Sequence, residues 1–336
     1  MNAPSRHTEL HALLDANHEF SLMHSDTTNH CPMALTALAE MGAEPHQLRA
    51  FFDFWESERA EPAEPVEYDI GWGRWDAALG RLDAFPALLR VMEERVAARG
   101  VEDTARQVLA SLPFSPGGGA FHPLIRLAFA LRAGHAGEAA AGLAYYLSGY
   151  LRLPAGLDAQ APADSAEDGL ASLSRAMSGW NSPDYWIHDR FDAVLADPRF
   201  AAALPGAPKT ADWLDALARA ALRVYWQTDN FTALHMVTAT LALRDVLEHL
   251  PGLPAEDWYP ALWQTFCVAY VSIGAPALEA EELPDAQPAW PLLLQRVLNV
   301  RNEHVIKLVY ACHREFQRSG DAFYHAAAAR ALWDAV

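Results

Sequence analysis

The chain has 336 residues, 51% of them apolar, enough for a substantial core, and carries a formal net charge of −18. Such an acidic balance argues against nucleic acid and anionic membrane surfaces as partners. No uninterrupted apolar run approaches the roughly 20 residues needed to span a bilayer. The segment Met1-Asn2-Ala3-Pro4-Ser5-Arg6-His7 lacks the apolar stretch of a secretory signal, and Cys31, Cys267 and Cys312 show no CxxC spacing, so a cytoplasmic protein with free thiols is expected.

Helical periodicity dominates from the start. Residues 8–24 carry Leu10, Leu13, Leu14 and Phe20 at helical spacing. Asn29 can cap a second helix, with Pro32 in its first turn and a stop at Gly42. Further amphipathic stretches cover 45–56, 74–99, 102–112, 123–134 and 137–151. After a Pro- and Gly-containing segment at 154–165, the best linker or insertion candidate, come 166–178, 187–203, 210–226, 231–249, 257–273, 288–299, 302–319 and 321–334. Alternating Val-, Ile- and Thr-rich segments are nearly absent, which opposes a sheet. The expectation is an all-α protein, a single large helical domain over 1–336 with its site between facing core helices.

Two lysines occur among the 25 basic residues. One of them, Lys307, falls inside Glu303-His304-Val305-Ile306-Lys307-Leu308-Val309-Tyr310-Ala311-Cys312, an apolar run that reads as a buried helix. His304 precedes it by three residues, so both side chains leave one helix face. Burying an ammonium is costly, so the amine must lose its proton, change chemically or find a partner. Three further histidines share the context of His304, each near a predicted helix start and followed by an apolar face: His30, His122 and His235. For any one of them a hydrogen-bonded core histidine is the blander reading. Four together with a misplaced lysine point to metal ligands on facing helices. His7, His11, His46, His135, His249 and His325 sit in polar or helix-end contexts and are set aside. His18 and His24 are candidates for a hydrogen-bonding shell near His30. His313 lies nine residues past His304, about 180° around the helix, and faces away.

These segments resemble the questin oxidase-like family, helical oxygenases known mainly from aromatic polyketide pathways. The resemblance rests on Asn29-His30 with a helix ending Met41-Gly42-Ala43, on Phe121-His122-Pro123-Leu124-Ile125, on Leu234-His235-Met236-Val237-Thr238, and on His304-Val305-Ile306-Lys307 with Ala311 beyond. It runs in order from about residue 10 to 334. Thr28, Met33 and Ala34 stand at positions where relatives often carry histidines, a departure that bears on the substrate-side wall. The resemblance implies a mononuclear non-haem Fe(II) bound by His30, His122, His235 and His304 and by a carboxylated Lys307, with Lys307 and His304 as the catalytic residues. A lysine is carboxylated only as the free amine, which burial favours. Five ligands leave an octahedral ion one open position, enough for O2 but not for a chelating substrate as well.

Other constellations carry less. Gly117-Gly118-Gly119 follows no strand and precedes no Walker lysine, so it reads as a turn delivering Phe121 and His122 to the core. No dinucleotide fingerprint is present, so no bound flavin or nicotinamide is expected, and a separate NADPH-dependent reductase or an already reduced substrate would supply reducing equivalents if they are needed. Asp184-Tyr185-Trp186-Ile187-His188-Asp189 could line a substrate pocket, core packing being slightly preferred. Gly71-Trp72-Gly73-Arg74-Trp75 could be a lid or an aromatic loop anchor. The leading expectation is an iron-dependent oxygenase acting on a small polycyclic or phenolic aromatic substrate, by ring cleavage or a Baeyer–Villiger-like insertion. Two alternatives stand beside it: a zinc-type hydrolase or lyase with a carboxylated lysine, and an inert helical protein whose histidines merely satisfy core contacts.

Overall fold

The computed structural model describes residues 5–334, apart from 25, 26, 68, 155, 156, 158, 159 and 285 and the side chains of His24 and Asp334. The all-α expectation holds. The helices are α1 (Arg6–Asn17), α2 (Cys31–Glu40), α3 (Pro45–Arg59), α4 (Phe85–Arg99), α5 (Val101–Ala110), α6 (His122–Ala133), α7 (Ala136–Ser148) and α8 (Ala166–Ala176). They continue with α9 (Ile187–Ala196), α10 (Pro198–Ala203), α11 (Trp213–Thr228), α12 (Phe231–His249), α13 (Ala255–Ser272), α14 (Trp290–Val297), α15 (Glu303–Ser319) and α16 (Ala322–Asp334). Extended structure among the described residues amounts to one antiparallel pair, Met23–His24 with Thr27–Thr28, and two isolated bridges.

Three predicted helices are corrected. The 8–24 helix ends at Asn17, because Ser21 donates its N–H to Glu61 and Ala63 donates to Glu19, drawing the chain into extended pairing. A partner from another part of the chain outweighs a local preference worth a few tenths of a kcal/mol per residue, roughly. The 74–99 helix is two short 3-10 turns, Trp72–Ala78 and Leu82–Ala84, before α4, interrupted at Gly80 with φ 73°. The 187–203 helix breaks at Asp197-Pro198. Proline has no N–H to give the preceding turn, and the Asp197 side chain caps α10 at the N–H of Arg199.

Contacts divide the chain into two units, Met1–Val108 with Pro123–Gly149 and Leu283–Val336, and Leu109–His122 with Tyr150–Glu282. Neither is a continuous stretch, so no single cut in the sequence separates them. In the first, α2 is buried on every face from Cys31 to Ala39 and packs on α1, α3 and α15, while α15 also packs on α14 and α16. A short helix buried all round is a core helix, which places its first residues in dry surroundings. In the second, α12 packs on α11 and α13, and α13 on α8 and α9. Of the linker candidate at 154–165, Ala155 and Gly156 lie outside the described residues. Its later part is tied down: Gln160 donates to Leu204, Ala163 to Gly206, and Gly206 to Ala161. A Cβ at Gly206 would come within 2.6 Å of the Gln160 carbonyl, so glycine is needed for that approach.

Candidate metal centre

Each of the four singled-out histidines sits at or near a helix start, and the local reason differs. His30 is the N-cap residue of α2, and Asn29 takes the Cys31 N–H on its side-chain oxygen at 3.1 Å. The predicted Asn29 cap is thus shifted by one position, with Asn29 capping from just outside the helix. Asn29 is itself held by Asn17 at 3.0 Å and is buried, so the entry to α2 is rigid. His304 follows Asn302, whose side chain accepts the N–H groups of His304 and Val305 and starts α15. His30 and His304 meet edge-on, with ring centroids 4.4 Å apart.

His122 is delivered by an unusual backbone. Gly119, Ala120 and Phe121 have φ values of 49°, 55° and 71° in succession. Two of these residues carry a Cβ, and left-handed backbone costs such residues roughly 1–2 kcal/mol each. The anchor that holds the strain is the Phe121 ring, fully buried against Phe191 at 6.3 Å and Phe266 at 5.6 Å. Gly117 allows the approach of this segment to α13, since a Cβ there would lie 2.3 Å from Thr265 Cγ2. The expected glycine-rich turn is therefore present, and it is left-handed as well. His235, one turn into α12, is fully buried and faces His122 with ring centroids 4.3 Å apart.

The hydrogen bonds to these two rings select their tautomers. His235 Nδ1 lies 2.7 Å from the Phe231 carbonyl one turn earlier, and His122 Nδ1 lies 2.5 Å from the Gly119 carbonyl. A carbonyl only accepts, so each Nδ1 carries the proton and each Nε2 keeps its lone pair for another group.

One nitrogen from each of His30, His122, His235 and His304 lies within 4.8 Å of all the others, a group that could hold a metal ion. Metal–imidazole bonds of about 2.1 Å put opposed nitrogens roughly 4.2 Å apart, a separation inside that limit. Neutral imidazoles suit iron, zinc, copper or nickel alike.

Lys307 is fully buried on α15, and its Nζ makes no hydrogen bond among the described residues. Burial pulls its amine down to about 7, against the opposing pull of the Glu303 carboxylate. A good share of the amine is therefore unprotonated near neutrality, the state carboxylation requires. Sequence reasoning passed over Glu303. This residue is buried and bound by Arg59 on α3 at 2.5 Å to each oxygen. A glutamate ahead of an apolar helical run was its only signal, and nothing local named Arg59, 244 residues away.

The remaining sequence candidates fall elsewhere. His18 contacts Glu138 at 3.1 Å and Glu93 at 3.7 Å, a charged cluster that includes Arg126, and those carboxylates are the partners found for it in place of the proposed shell around His30. The His24 side chain lies outside the described residues. His313 packs on Trp290, consistent with a face turned away from Lys307. His11, His249 and His325 bond backbone carbonyls and His135 caps α7, while His7 and His46 are exposed. Tyr185 and Trp186 are exposed and touch each other, so that segment neither packs in the core nor is enclosed in a pocket. Trp72 takes the Arg95 guanidinium over its ring at 4.4 Å, the anchor alternative for its loop. All three cysteines are free and buried, and burial pushes the Cys31 thiol beside His30 well up, so it is held as a neutral thiol.

The model of the questin oxidase-like family matches residues 27–312, nearly the whole chain. The chain belongs to the questin oxidase-like family. No curated protein matches it. Membership in a family named for an oxidase makes an oxidative enzyme the coarse functional assignment, and all four histidines of the group fall within the matched span. No helix among the described residues is long and apolar enough to cross a membrane.

Proposed function

We propose that this questin oxidase-like protein is a non-haem iron-dependent oxygenase that uses O2 on a small polycyclic or phenolic aromatic substrate. Its Fe(II) would be held by His30, His122, His235 and His304 and by a carboxylated Lys307. The observation that carries the reading is the group of four imidazoles together with a buried lysine amine, on the helix of His304, that has no hydrogen-bond partner among the described residues. Bound iron would supply the one-electron chemistry that lets O2 react with a closed-shell ring.

The chain's own residues have separable tasks. The Phe231 and Gly119 carbonyls hold the Nδ1 protons of His235 and His122, presenting Nε2 as the donor. The Lys307 amine attacks CO2, forming a C–N bond and releasing one proton, and the resulting carbamate gives an anionic oxygen donor among neutral imidazoles. Burial excludes bulk water from that reaction product. Phe231, exposed and with its ring 4.6 Å from that of His235, offers a face on which a planar substrate can stack. Ring cleavage or Baeyer–Villiger-like insertion is the expected outcome, with a separate NADPH-dependent reductase where reducing equivalents are needed.

Metal analysis of anaerobically purified protein tests the reading. One iron per chain, with O2 consumed on addition of a hydroxylated anthraquinone, is the expected result. Protein that neither contains iron nor takes it up on reconstitution would sink it. Because imidazoles also suit zinc, a zinc hydrolase or lyase with the same lysine is the second reading, and turnover without O2 would favour it.

A further inference from the structure

A cavity of about 580 Å³ is lined by Arg59, Arg296, Asn299, Val300, Arg301, Asn302 and Leu332. Three arginines around one cavity are unexpected in a chain of net charge −18. Each guanidinium is also held in place. Arg296 lies over the Trp333 ring at 4.5 Å, Arg301 lies over the Phe54 ring at 5.0 Å and donates to the Ala50 carbonyl, and Arg59 grips the buried Glu303. Among the described residues Glu303 is the carboxylate that answers this group, and Arg296 and Arg301 have none. Two positive charges are thus left facing the cavity without an anion.

We infer that this cavity binds an organic anion, whose carboxylate or phosphate oxygens meet Arg296 and Arg301 and whose apolar part lies on Val300. Four physical arguments converge. Planar guanidinium groups match the paired oxygens of carboxylate and phosphate. Arginines already stacked on aromatic rings lose little freedom when a ligand arrives. The volume lies within the range of small-molecule sites. Asn302 lines the cavity and also starts α15, so the positive end of a 17-residue helix dipole abuts the same space. The site is independent of the metal reading, because none of its residues is a proposed ligand and anion binding requires no metal.

Thermal unfolding of the full chain at neutral pH tests this, with added benzoate, inorganic phosphate or uncharged benzamide at an ionic strength matched with potassium chloride. Benzoate and phosphate are expected to raise Tm in a saturable way, and benzamide to leave it unchanged. The larger response identifies the preferred oxyanion. In the double variant Arg296→Gln/Arg301→Gln the shift should vanish, whereas Arg106→Gln, on α5 and outside the cavity lining, should retain it. A shift that survives in the double variant, or benzamide acting as strongly as benzoate, overturns the proposal. If the double variant lacks the helical circular-dichroism signal, Arg301→Lys decides. About tenfold weaker apparent binding is expected, because the charge is kept but the planar fork is lost, and unchanged binding counts against the site.

Discussion

The buried carboxylate of Glu303 belongs to Arg59 and not to Lys307, four residues further along the same helix. Both Arg59 hydrogen bonds to it measure 2.5 Å, while the Lys307 amine has no hydrogen bond among the described residues. The division is chemically consequential. A lysine ion-paired to that glutamate would stay protonated and inert toward CO2, whereas one denied it can be a neutral nucleophile.

Lys307→Met removes the amine while keeping most of the side-chain volume. The variant should fold, bind iron more weakly, and gain nothing from added bicarbonate. In the unaltered protein, bicarbonate during reconstitution should increase iron uptake. Iron content measured by mass spectrometry of the reconstituted proteins reads both. Equal iron affinity in the variant and the parent would remove Lys307 from the ligand set.

His235→Ala should abolish stoichiometric metal binding and retain the helical circular-dichroism signal. It deletes one of the four imidazoles that could hold the ion. A stability loss of about 2–3 kcal/mol is expected from a fully buried side chain. A variant that binds metal as the parent does would favour histidines that only satisfy core contacts.

Breaking the Arg59–Glu303 pair should cost far more than breaking a surface pair. Arg59→Leu leaves an uncompensated carboxylate that is 1% exposed, so about 3 kcal/mol of destabilisation is expected in urea unfolding. Arg106→Leu, which breaks the exposed Glu102–Arg106 pair on α5, should cost about 0.5 kcal/mol or less. Equal costs would show that Glu303 does not need its partner.

Stability should fall between neutral pH and about pH 9 through His18. Burial opposes its charge, but the contacts with Glu138 and Glu93 outweigh burial and raise it to about 9 from 6.5. With the folded value above the unfolded one, this contribution is complete below about pH 6.5 and is lost as pH rises through about 9. Below pH 4.5 the same cluster weakens from its other side. Burial disfavours the Glu138 carboxylate, but Arg126 and His18 hold it down to about 2, so its contribution fades as pH falls toward that value. His18→Gln should flatten the alkaline limb of a stability-versus-pH profile. A variant whose alkaline limb is as steep as the parent's would assign that limb elsewhere.

Gly117→Ala tests the delivery of His122. The added methyl meets Thr265 at 2.3 Å, so either α13 or the left-handed segment Gly119–Phe121 must move. About 1–3 kcal/mol of destabilisation is expected, with weaker metal binding. Gly117→Ala in combination with Thr265→Ala should recover both, and failure to recover would mean that the clash is not the cause.

Much of the helical architecture was legible in the sequence because its determinants are local: a period of 3.6, caps such as Asn302 and Asn230, and stops such as Gly42. The candidate site residues were legible for the same kind of reason, since a lysine within an apolar helical run is anomalous whatever lies around it. The last part of the 8–24 helix, from residue 18, was misread because the pairing partner of Glu19 and Ser21, near Glu61, is distant in sequence. The continuous helices at 74–99 and 187–203 were misread where Gly80 and Asp197-Pro198 interrupt a pattern that otherwise keeps its period.

What only the tertiary structure decided is which side chains meet. His30, His122, His235 and His304 span most of the chain, and no local pattern sets distances within 4.8 Å among them. Within one unit His30 meets His304 where α2 packs on α15, and within the other His122 meets His235 because a buried Phe121 ring holds three left-handed residues in a row. The sequence by itself determined that a buried amine would need chemical relief. The fold decided, by giving Glu303 to Arg59, that an ion pair with that carboxylate would not supply it.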